Sequence, residues 1–279
     1  MSVISKLSIG RTEFVALIAS LMALNSLAID IMLPALPVMG TVFGVTGDNA
    51  HQYIISAYML GYGMGELVFG PLSDRFGRKG PLLIGIVVYA LAAAAAVFSA
   101  SFGVVLAMRF LQGIGAASTR VVATSIVRDR YSGDAMAEVM SMAFMLFMAI
   151  PILAPGIGQI LLLAGPWQTI FLFMAALAIA VGVWTVLRLP ETLNPEYRRA
   201  LKMSVIVEGF RIVVSNRSAF AYGLAGMFMF ASLFGFLSSA QQIYVGIYGL
   251  GVYFPVAFAS VALLMGVSSF TNSKLVASG

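Results

Sequence analysis

Four ionisable side chains lie within stretches of sequence that are otherwise apolar, which makes them the first candidates for chemistry. They are Asp30, Glu66, Arg109 and Arg120. A charge near the centre of a lipid-embedded helix costs about 2.5–3.5 kcal/mol, so such residues persist where they form pairs or line a water-filled pathway. At about 1.5 Å per helical residue, Asp30 and Arg109 lie at a similar depth in the membrane, and so do Glu66 and Arg120. The sequence therefore predicts two acid–base pairs at two levels.

These pairs suit proton chemistry, because the protonation of a buried carboxyl group responds both to desolvation and to a nearby cation. We hypothesise that Asp30 carries a proton; the alternative is a static clamp with Arg109. Arg109 would tune the acid, or form a plain packing ion pair. Glu66 is either a second proton site or only a partner for Arg120. At 100° per residue, Arg109 and Arg120 fall within about 20° of each other, and Gln112 shares their stripe, which predicts a polar helix side facing a cavity.

The composition identifies lipid as the surrounding solvent. Hydrophobic residues make up 61% of the 279 residues, and the mean hydropathy is +0.99, well above the roughly half-apolar average of soluble domains. The chain has no cysteine and one histidine. Disulfide frameworks, thiolate nucleophiles and multi-histidine metal sites are therefore disfavoured. We expect neither a metal nor another cofactor, and a membrane-embedded enzyme lacks an evident nucleophile and base.

Eight segments are long and apolar enough to span a bilayer, which requires about 20 residues each. No strand-like alternation competes with them, so the predicted fold is an all-α polytopic membrane protein. The predicted spans cover approximately residues 14–38, 51–72, 81–99, 102–125, 139–163, 168–188, 219–240 and 251–271.

The basic residues orient these spans. With the N-terminus in the cytoplasm, every lysine and arginine except Arg109 and Arg120 lies in a cytoplasmic tail or connection, as the positive-inside rule requires. The sequence thus predicts a multi-pass membrane protein with its N-terminus in the cytoplasm. The basic charge follows from topology, so nucleic acid is not an expected partner.

The spans divide unevenly along the chain. Residues 1–188 form a predicted six-helix bundle, residues 189–218 a polar cytoplasmic linker, and residues 219–279 the first two helices of an incomplete second bundle. A weak repeat relates the segment around Asp74 to that around Asn272. A complete repeat would require roughly four further helices, so we expect a fragment or a truncated product.

One polar segment interrupts the apolar runs between the second and third spans. The sequence GPLSDRFGRKG combines two turn-permitting glycines with an acid and three bases at the inner membrane surface. Its key residues are Gly70, Asp74, Arg75, Gly77, Arg78 and Lys79. By itself this pattern fits a positive-inside turn.

Several motifs in the same order resemble the major facilitator superfamily over residues 14–200. GPLSDRFGRKG resembles its loop signature, RFLQGIGAAS its helix-4 motif, and NSLAIDIMLPALP the helix-1 motif of its drug:proton antiporters. APGIG is a partial match to the antiporter motif of helix 5, without the usual preceding glycine. RDRYSGDAMAEVMS and LPETLNPEYR are similar to the bicyclomycin- and chloramphenicol-resistance-type transporters.

The resemblance implies a secondary active transporter that exports small lipophilic or cationic drugs in exchange for protons, powered by the proton gradient. It implies that the charged loop latches the two halves of the transporter in the outward-open state and releases them when the transporter turns inward. It also implies that Pro155, with Gly156 and Gly158, forms an antiporter bend that permits close packing. Two alternatives are a non-transporting fragment and a carrier of the same superfamily for a different small solute. We expect the protein to be a monomer whose partners are drug-like molecules, protons and lipid.

Overall fold

The chain is built from helices throughout the part that the structure describes. The computed structural model describes residues 9–45, 47, 50–199, 201, 203–261 and 263–264, and no strand occurs within those residues. The all-α prediction is therefore confirmed. The α-helices, in chain order, are α1 (Arg11–Asp30), α2 (Leu36–Val42), α3 (Tyr53–Phe76), α4 (Lys79–Ala96), α5 (Phe102–Arg130), α6 (Gly133–Ala164), α7 (Gln168–Arg188), α8 (Met203–Ser215) and α9 (Arg217–Gln241).

Six helical stretches in the described part are long and apolar enough to cross a membrane. They are Arg11–Val42, Lys79–Ala96, Phe102–Arg130, Gly133–Ala164, Gln168–Arg188 and Arg217–Ile247. Helix α3 forms where the second span is predicted, but it falls below this apolar level because it contains four glycines, Glu66, Asp74 and Arg75. Of the predicted eighth span, the structure describes the short apolar helix Gly251–Val261 and residues 263–264; the rest of that span and Asn272 lie outside the described residues.

Two predicted spans are shorter than the helices that form there. Helix α5 extends to Arg130 and α6 begins at Gly133, whereas the predicted spans ended at 125 and began at 139. The polar residues between these limits remain helical, because aqueous solvent does not end a helix whose backbone hydrogen bonds continue. Only Tyr131 and Ser132, both with extended backbone, separate the two helices.

The first span is one helical stretch with a change of pitch. Helix α1 is followed by a 3₁₀ turn, Leu33–Ala35, and then by α2. Pro34 and Pro37 lack the N–H groups that an uninterrupted α-helix would use, which explains the local tightening. This stretch is almost entirely buried along α1, so it forms the interior of the bundle.

Helix α5 is the centre of the packing. It lies against α3 and α4, while α1 packs against α6 and α4 packs against α7. Close approach depends on glycine: a Cβ at Gly61 would collide with the carbonyl of Phe110, and one at Gly113 with the carbonyl of Tyr58. Small residues at such positions let two membrane helices bring their backbones together.

The segment after α7 contains a 3₁₀ turn, Pro195–Tyr197, and helix α8 before α9 begins. It occupies the position of the predicted linker. The division of the chain into two bundles around it stays a prediction.

Candidate functional site

The charged loop between α3 and α4 is a tightly bonded cluster centred on Arg78. Arg78 is 6% exposed. Its Nη1 donates to Asp74 Oδ1 at 2.6 Å and to Ser73 Oγ at 3.0 Å, and its Nε donates to Asp129 Oδ2 at 2.8 Å. Asp129 lies near the end of α5. The guanidinium group therefore joins the end of α3 to the end of α5.

Glu191 closes this cluster from the segment after α7. Its carboxylate accepts hydrogen bonds from the backbone N–H groups of Arg78 at 2.8 Å and Lys79 at 3.2 Å. The N–H groups of Thr192 and Leu193 donate to the same carboxylate at 2.9 and 3.0 Å. A carboxylate is favoured here, because the first N–H groups of α4 have no partner within the helix.

Gly77 makes this contact sterically accessible. Its φ is 93°, and a Cβ at this position would collide with the carboxylate of Glu191. Glycine is thus required twice, by the backbone conformation and by the approach of Glu191. Gly70, by contrast, lies inside α3 with only an ordinary contact to Val121. The prediction that Gly70 contributes to the turn is wrong, because α3 continues six residues beyond it.

Burial and hydrogen bonding act on Arg78 in opposite directions. Burial lowers the pKa of Arg78, while the hydrogen bonds to Asp129 and Asp74 raise it, and the net effect is a raised pKa. Because the ordinary pKa already exceeds 12, the guanidinium stays charged at every physiological pH. Arg78 therefore acts as a permanent cation in the cluster.

The other two bases of the loop have different surroundings. Lys79 Nζ donates to the carbonyl of Val186 at 2.8 Å, which ties α4 to the end of α7. Arg75 is exposed. In the described part of the chain, the hydrogen-bond partners of the loop therefore lie within residues 1–188, the predicted six-helix bundle, and in the segment after α7. Its predicted role as a latch between two halves stays a prediction.

Asp30 lies inside the bundle, at the end of α1. It is 2% exposed, and Ser26 Oγ donates to its Oδ2 at 3.1 Å. Its Oδ1 is buried without a hydrogen-bond partner. Burying an ionised carboxylate costs several kcal/mol unless a cation and further hydrogen bonds compensate. This environment therefore accommodates the neutral carboxylic acid better than the carboxylate.

The predicted pair between Asp30 and Arg109 is wrong. Arg109 is fully buried, and its Nη2 donates to the carbonyl of Ala28 at 2.9 Å, its Nη1 to Gln112 Oε1 at 2.7 Å. Its guanidinium also lies 4.4 Å from the ring centroid of Tyr58. Similar depth does not ensure contact, because the carbonyl of Ala28, two residues before Asp30, offers the guanidinium a nearer partner on α1.

Gln112 is also fully buried, and its Nε2 lies 3.6 Å from the sulfur of Met174 on α7. The predicted polar side of α5 therefore does not face one open cavity. The part with Arg109 and Gln112 is sealed between helices. The side chain of Arg120, further along the same helix, is 40% exposed.

Glu66 and Arg120 form the second predicted pair. Glu66 Oε1 lies 3.6 Å from Arg120 Nη1, and the two side chains are 37% and 40% exposed. Tyr62 Oη lies 3.4 Å from the same Nη1, and the guanidinium stands 5.7 Å from the ring centroid of Phe230 on α9. This group, the Glu66–Arg120 pair with Tyr62 and Phe230, combines charge with two aromatic rings, of which Phe230 is 40% exposed and Tyr62 is buried.

The predicted helix bend maps onto α6, which contains Pro151 and Pro155 in one continuous helix. Gly158 permits close packing, since a Cβ there would collide with the carbonyl of Ile31 on the first span. Gly156 has nothing within 4 Å of the position of a Cβ. The prediction that Gly156 provides close packing is therefore wrong, because no described residue approaches the position of its Cβ.

Sequence reasoning missed the acids that hold Arg78. Asp129 and Glu191 lie 51 and 113 residues further along the chain, and nothing in their spacing links them to the loop. Their neighbourhoods, RDRYSGD and LPETL, were recognisable only as motifs of the resembling family. The hydrogen bond that Tyr58 Oη donates to Asn25 Oδ1 at 2.9 Å had no signal in the sequence either.

Comparison with known sequences gives a consistent assignment. The sequence model of the Major Facilitator Superfamily matches residues 18–278. The chain is 30% identical over 264 residues to a bicyclomycin resistance protein homolog of Haemophilus influenzae, covering 94% of this chain and 66% of that protein. It is 32% identical over 249 residues to a chloramphenicol resistance protein of Pseudomonas aeruginosa, covering 87% and 57%. The chain thus spans at most about two thirds of these relatives.

Solved structures share the fold at low sequence identity. A bacterial homolog of the human lysosomal transporter Spinster, inward-facing and unoccupied, superposes with a TM-score of 0.73 at 18% identity, covering 93% of this chain and 61% of that one. The human organic anion transporter MFSD10 gives a TM-score of 0.70 at 21% identity, covering 92% and 71%. With the sequence match across residues 18–278, these similarities show that the chain belongs to the Major Facilitator Superfamily.

Proposed function

We propose that this protein exports small lipophilic or cationic drugs across the bacterial inner membrane in exchange for protons. Asp30 is the proton carrier, and the proton gradient is the energy source. The single observation that carries the proposal is the state of Asp30: a buried carboxyl group that has one hydrogen bond, one unpartnered oxygen and no ion pair with Arg109.

The surroundings of Asp30 support a role in proton exchange. A static clamp would hold the carboxylate against a cation, yet Arg109 is satisfied by a carbonyl, by Gln112 and by the ring of Tyr58. Because Arg109 donates to the carbonyl of Ala28, two residues before Asp30 on the same helix, a rearrangement of the helices could bring it to the carboxylate. A neutral acid in one arrangement and a charged one in another is what coupling between protonation and movement requires.

The Glu66–Arg120 pair with Tyr62 and Phe230 is the proposed place of drug contact. Glu66, Arg120 and Phe230 have partly exposed side chains. Tyr62 is buried, as are Asp30 and Arg109. Aromatic rings offer lipophilic molecules a large contact area and attract cations. The carboxylate of Glu66 could pair with a cationic drug once Arg120 turns towards the ring of Phe230.

The relatives favour this class of substrate. They include proteins named for resistance to bicyclomycin, to chloramphenicol and to multiple drugs. In the same proposal, the cluster around Arg78 serves as the cytoplasmic gate. It holds the inner ends of α3, α5 and α7 together, and its opening would accompany the change of access.

Ethidium efflux from energised, pump-deficient bacterial cells that express this chain tests the proposal. We expect efflux that a protonophore abolishes and that Asp30→Asn lowers at least tenfold. Asp134→Asn is the matched control, because it makes the same chemical change at an exposed position in the first turn of α6. This control variant should retain efflux.

Efflux that survives Asp30→Asn would remove Asp30 as the essential proton carrier. Absence of ethidium efflux from a chain shown to be inserted in the membrane would contradict export of this cation. Uptake assays with other small solutes would then test the alternative that the chain is a carrier of the superfamily with a different substrate.

A further inference from the structure

Helix α8 has one apolar side, and the residues of that side whose side chains the structure describes, Val207, Val213 and Val214, are exposed. At 100° per residue, positions 203, 206, 207, 210, 213 and 214 fall within an arc of about 120°, and each is an apolar residue. Positions 204, 208, 211 and 215 fall within about 60° on another side, and each is polar or charged. Val207 and Val214 of the apolar side are 56% and 59% exposed.

The position of α8 in the chain restricts what can cover this side. Helix α7 ends at Arg188 and α9 begins at Arg217, and both are membrane-spanning stretches. Both ends of the segment that carries α8 are therefore tethered at the same membrane surface. At 13 residues, α8 is too short to span a bilayer, which requires about 20 residues.

The charges around α8 have one dominant sign. Between residues 194 and 217 the sequence has five bases and two acids, Glu196 and Glu208. The bases whose surroundings the structure describes, Arg198, Arg199, Arg211 and Arg217, are all exposed. Each basic residue near an anionic membrane surface contributes about 1 kcal/mol of attraction. Tyr197, 72% exposed, adds an aromatic residue of the kind found at headgroup level.

From these observations we propose that α8 lies in the plane of the inner leaflet and binds anionic lipid. Its apolar side enters the boundary between headgroups and acyl chains, and the arginines that flank the helix, Arg198, Arg199 and Arg217, contact the phosphates. The side with Ser204 and Ser215 faces the cytoplasm. This is the behaviour of an interfacial amphipathic helix. The inference rests on the membrane spans and on α8 itself, so it is independent of what the protein transports.

Single-cysteine spin labelling can locate α8, because the chain has no native cysteine. Val207→Cys and Val214→Cys would place a nitroxide on the apolar side; Ser204→Cys and Ser215→Cys are the matched positions on the polar side. The full chain would be reconstituted in vesicles of phosphatidylethanolamine and phosphatidylglycerol. Power saturation then compares collisions with oxygen, which enters lipid, and with a water-soluble nickel chelate.

We expect the oxygen-to-nickel ratio to be at least about threefold higher at positions 207 and 214 than at 204 and 215. Equal, nickel-accessible signals on both sides would overturn the proposal and show a solvated helix. Exclusion of both reagents at 207 and 214 would also overturn it and show a protein partner, a second copy or a further part of the chain. Replacing phosphatidylglycerol with phosphatidylcholine should reduce the ratio; an unchanged ratio would contradict the anionic-lipid part.

Discussion

Arg78 and Arg109 are both buried, yet the protein stabilises the two cations in different ways. Arg78, at the membrane surface, is bonded to the carboxylates of Asp74 and Asp129. Arg109, inside the bundle, is bonded to a carbonyl and to Gln112, and contacts the ring of Tyr58. The first arrangement is an ion-paired joint between the ends of α3 and α5. The second leaves a cation whose partners are neutral and exchangeable.

The geometry around Arg78 predicts that charge alone is not sufficient there. Arg78→Lys keeps the cation but cannot bond Ser73, Asp74 and Asp129 at once, since an ammonium group lacks the planar fork. We expect a loss of about 2 kcal/mol in stability, or roughly 5 °C in melting temperature, for the purified protein in detergent. Arg75→Lys, at the exposed neighbouring base, should change little. Equal shifts in the two variants would contradict this account.

The two acid–base pairs illustrate the limit of prediction at this scale. The depth argument located Glu66 beside Arg120 correctly, because both side chains point into the same space between α3 and α5. It failed for Asp30, because Ser26 on the same helix donates to one carboxylate oxygen and the guanidinium of Arg109 donates to the carbonyl of Ala28 instead. Depth follows from residue counting, but the choice among local partners depends on side-chain orientation, which the sequence does not contain.

At the scale of elements, the contact between α3 and α5 depends on individual glycines rather than on glycine content. A Cβ at Gly61 would collide with the carbonyl of Phe110, whereas a Cβ at Gly63 would meet nothing within 4 Å. The sequence GYGMG indicated helix packing in general. It could not show which glycine faces the neighbouring helix, because that requires the relative rotation of the two helices.

Gly61→Ala should therefore destabilise the bundle by about 2 kcal/mol or more, since the obstructing atom is backbone and cannot turn aside. Gly63→Ala, two residues away in the same helix, is the control. It should be neutral or slightly stabilising, because alanine has the higher helix propensity. Thermal unfolding in detergent compares the two. A loss as large for Gly63→Ala as for Gly61→Ala would refute the packing described here.

The helices themselves were largely predictable, because apolar length is a strong signal for membrane spans. Their ends were not: α5 and α6 continue as helices to Arg130 and from Gly133, beyond their apolar parts. The same extension brings Asp129 to Arg78. An error of one turn in a boundary thus concealed a partner of the charged loop.

At the scale of the whole molecule, the distribution of basic residues predicts which connections face the cytoplasm. The connection between α4 and α5, which contains Ala100, should be outside, and that between α5 and α6, which contains Ser132, inside. Both residues are exposed, and the chain has no other cysteine to interfere. A membrane-impermeant maleimide should label Ala100→Cys in intact cells, but Ser132→Cys only after permeabilisation. The opposite pattern would invert the topology.

The superfamily assignment and the buried acid combine into one account of how this protein works. In the proposed function, the helices rock against one another, the cluster around Arg78 would close their cytoplasmic ends, and Asp30 would link protonation to that movement. Membership in the superfamily would also be compatible with a carrier that uses no protons. Coupling through Asp30 is therefore the part of the account that needs measurement.

That measurement is proton movement driven by a drug gradient, in proteoliposomes that contain the purified chain, a trapped pH-sensitive dye and a clamped membrane potential. An inward ethidium gradient should drive protons out of the vesicles, so the lumen becomes more alkaline. Asp30→Asn should abolish the signal, and Asp134→Asn should preserve it. Ethidium entry without a change in luminal pH, or an unchanged signal in Asp30→Asn, would contradict proton-coupled export through Asp30.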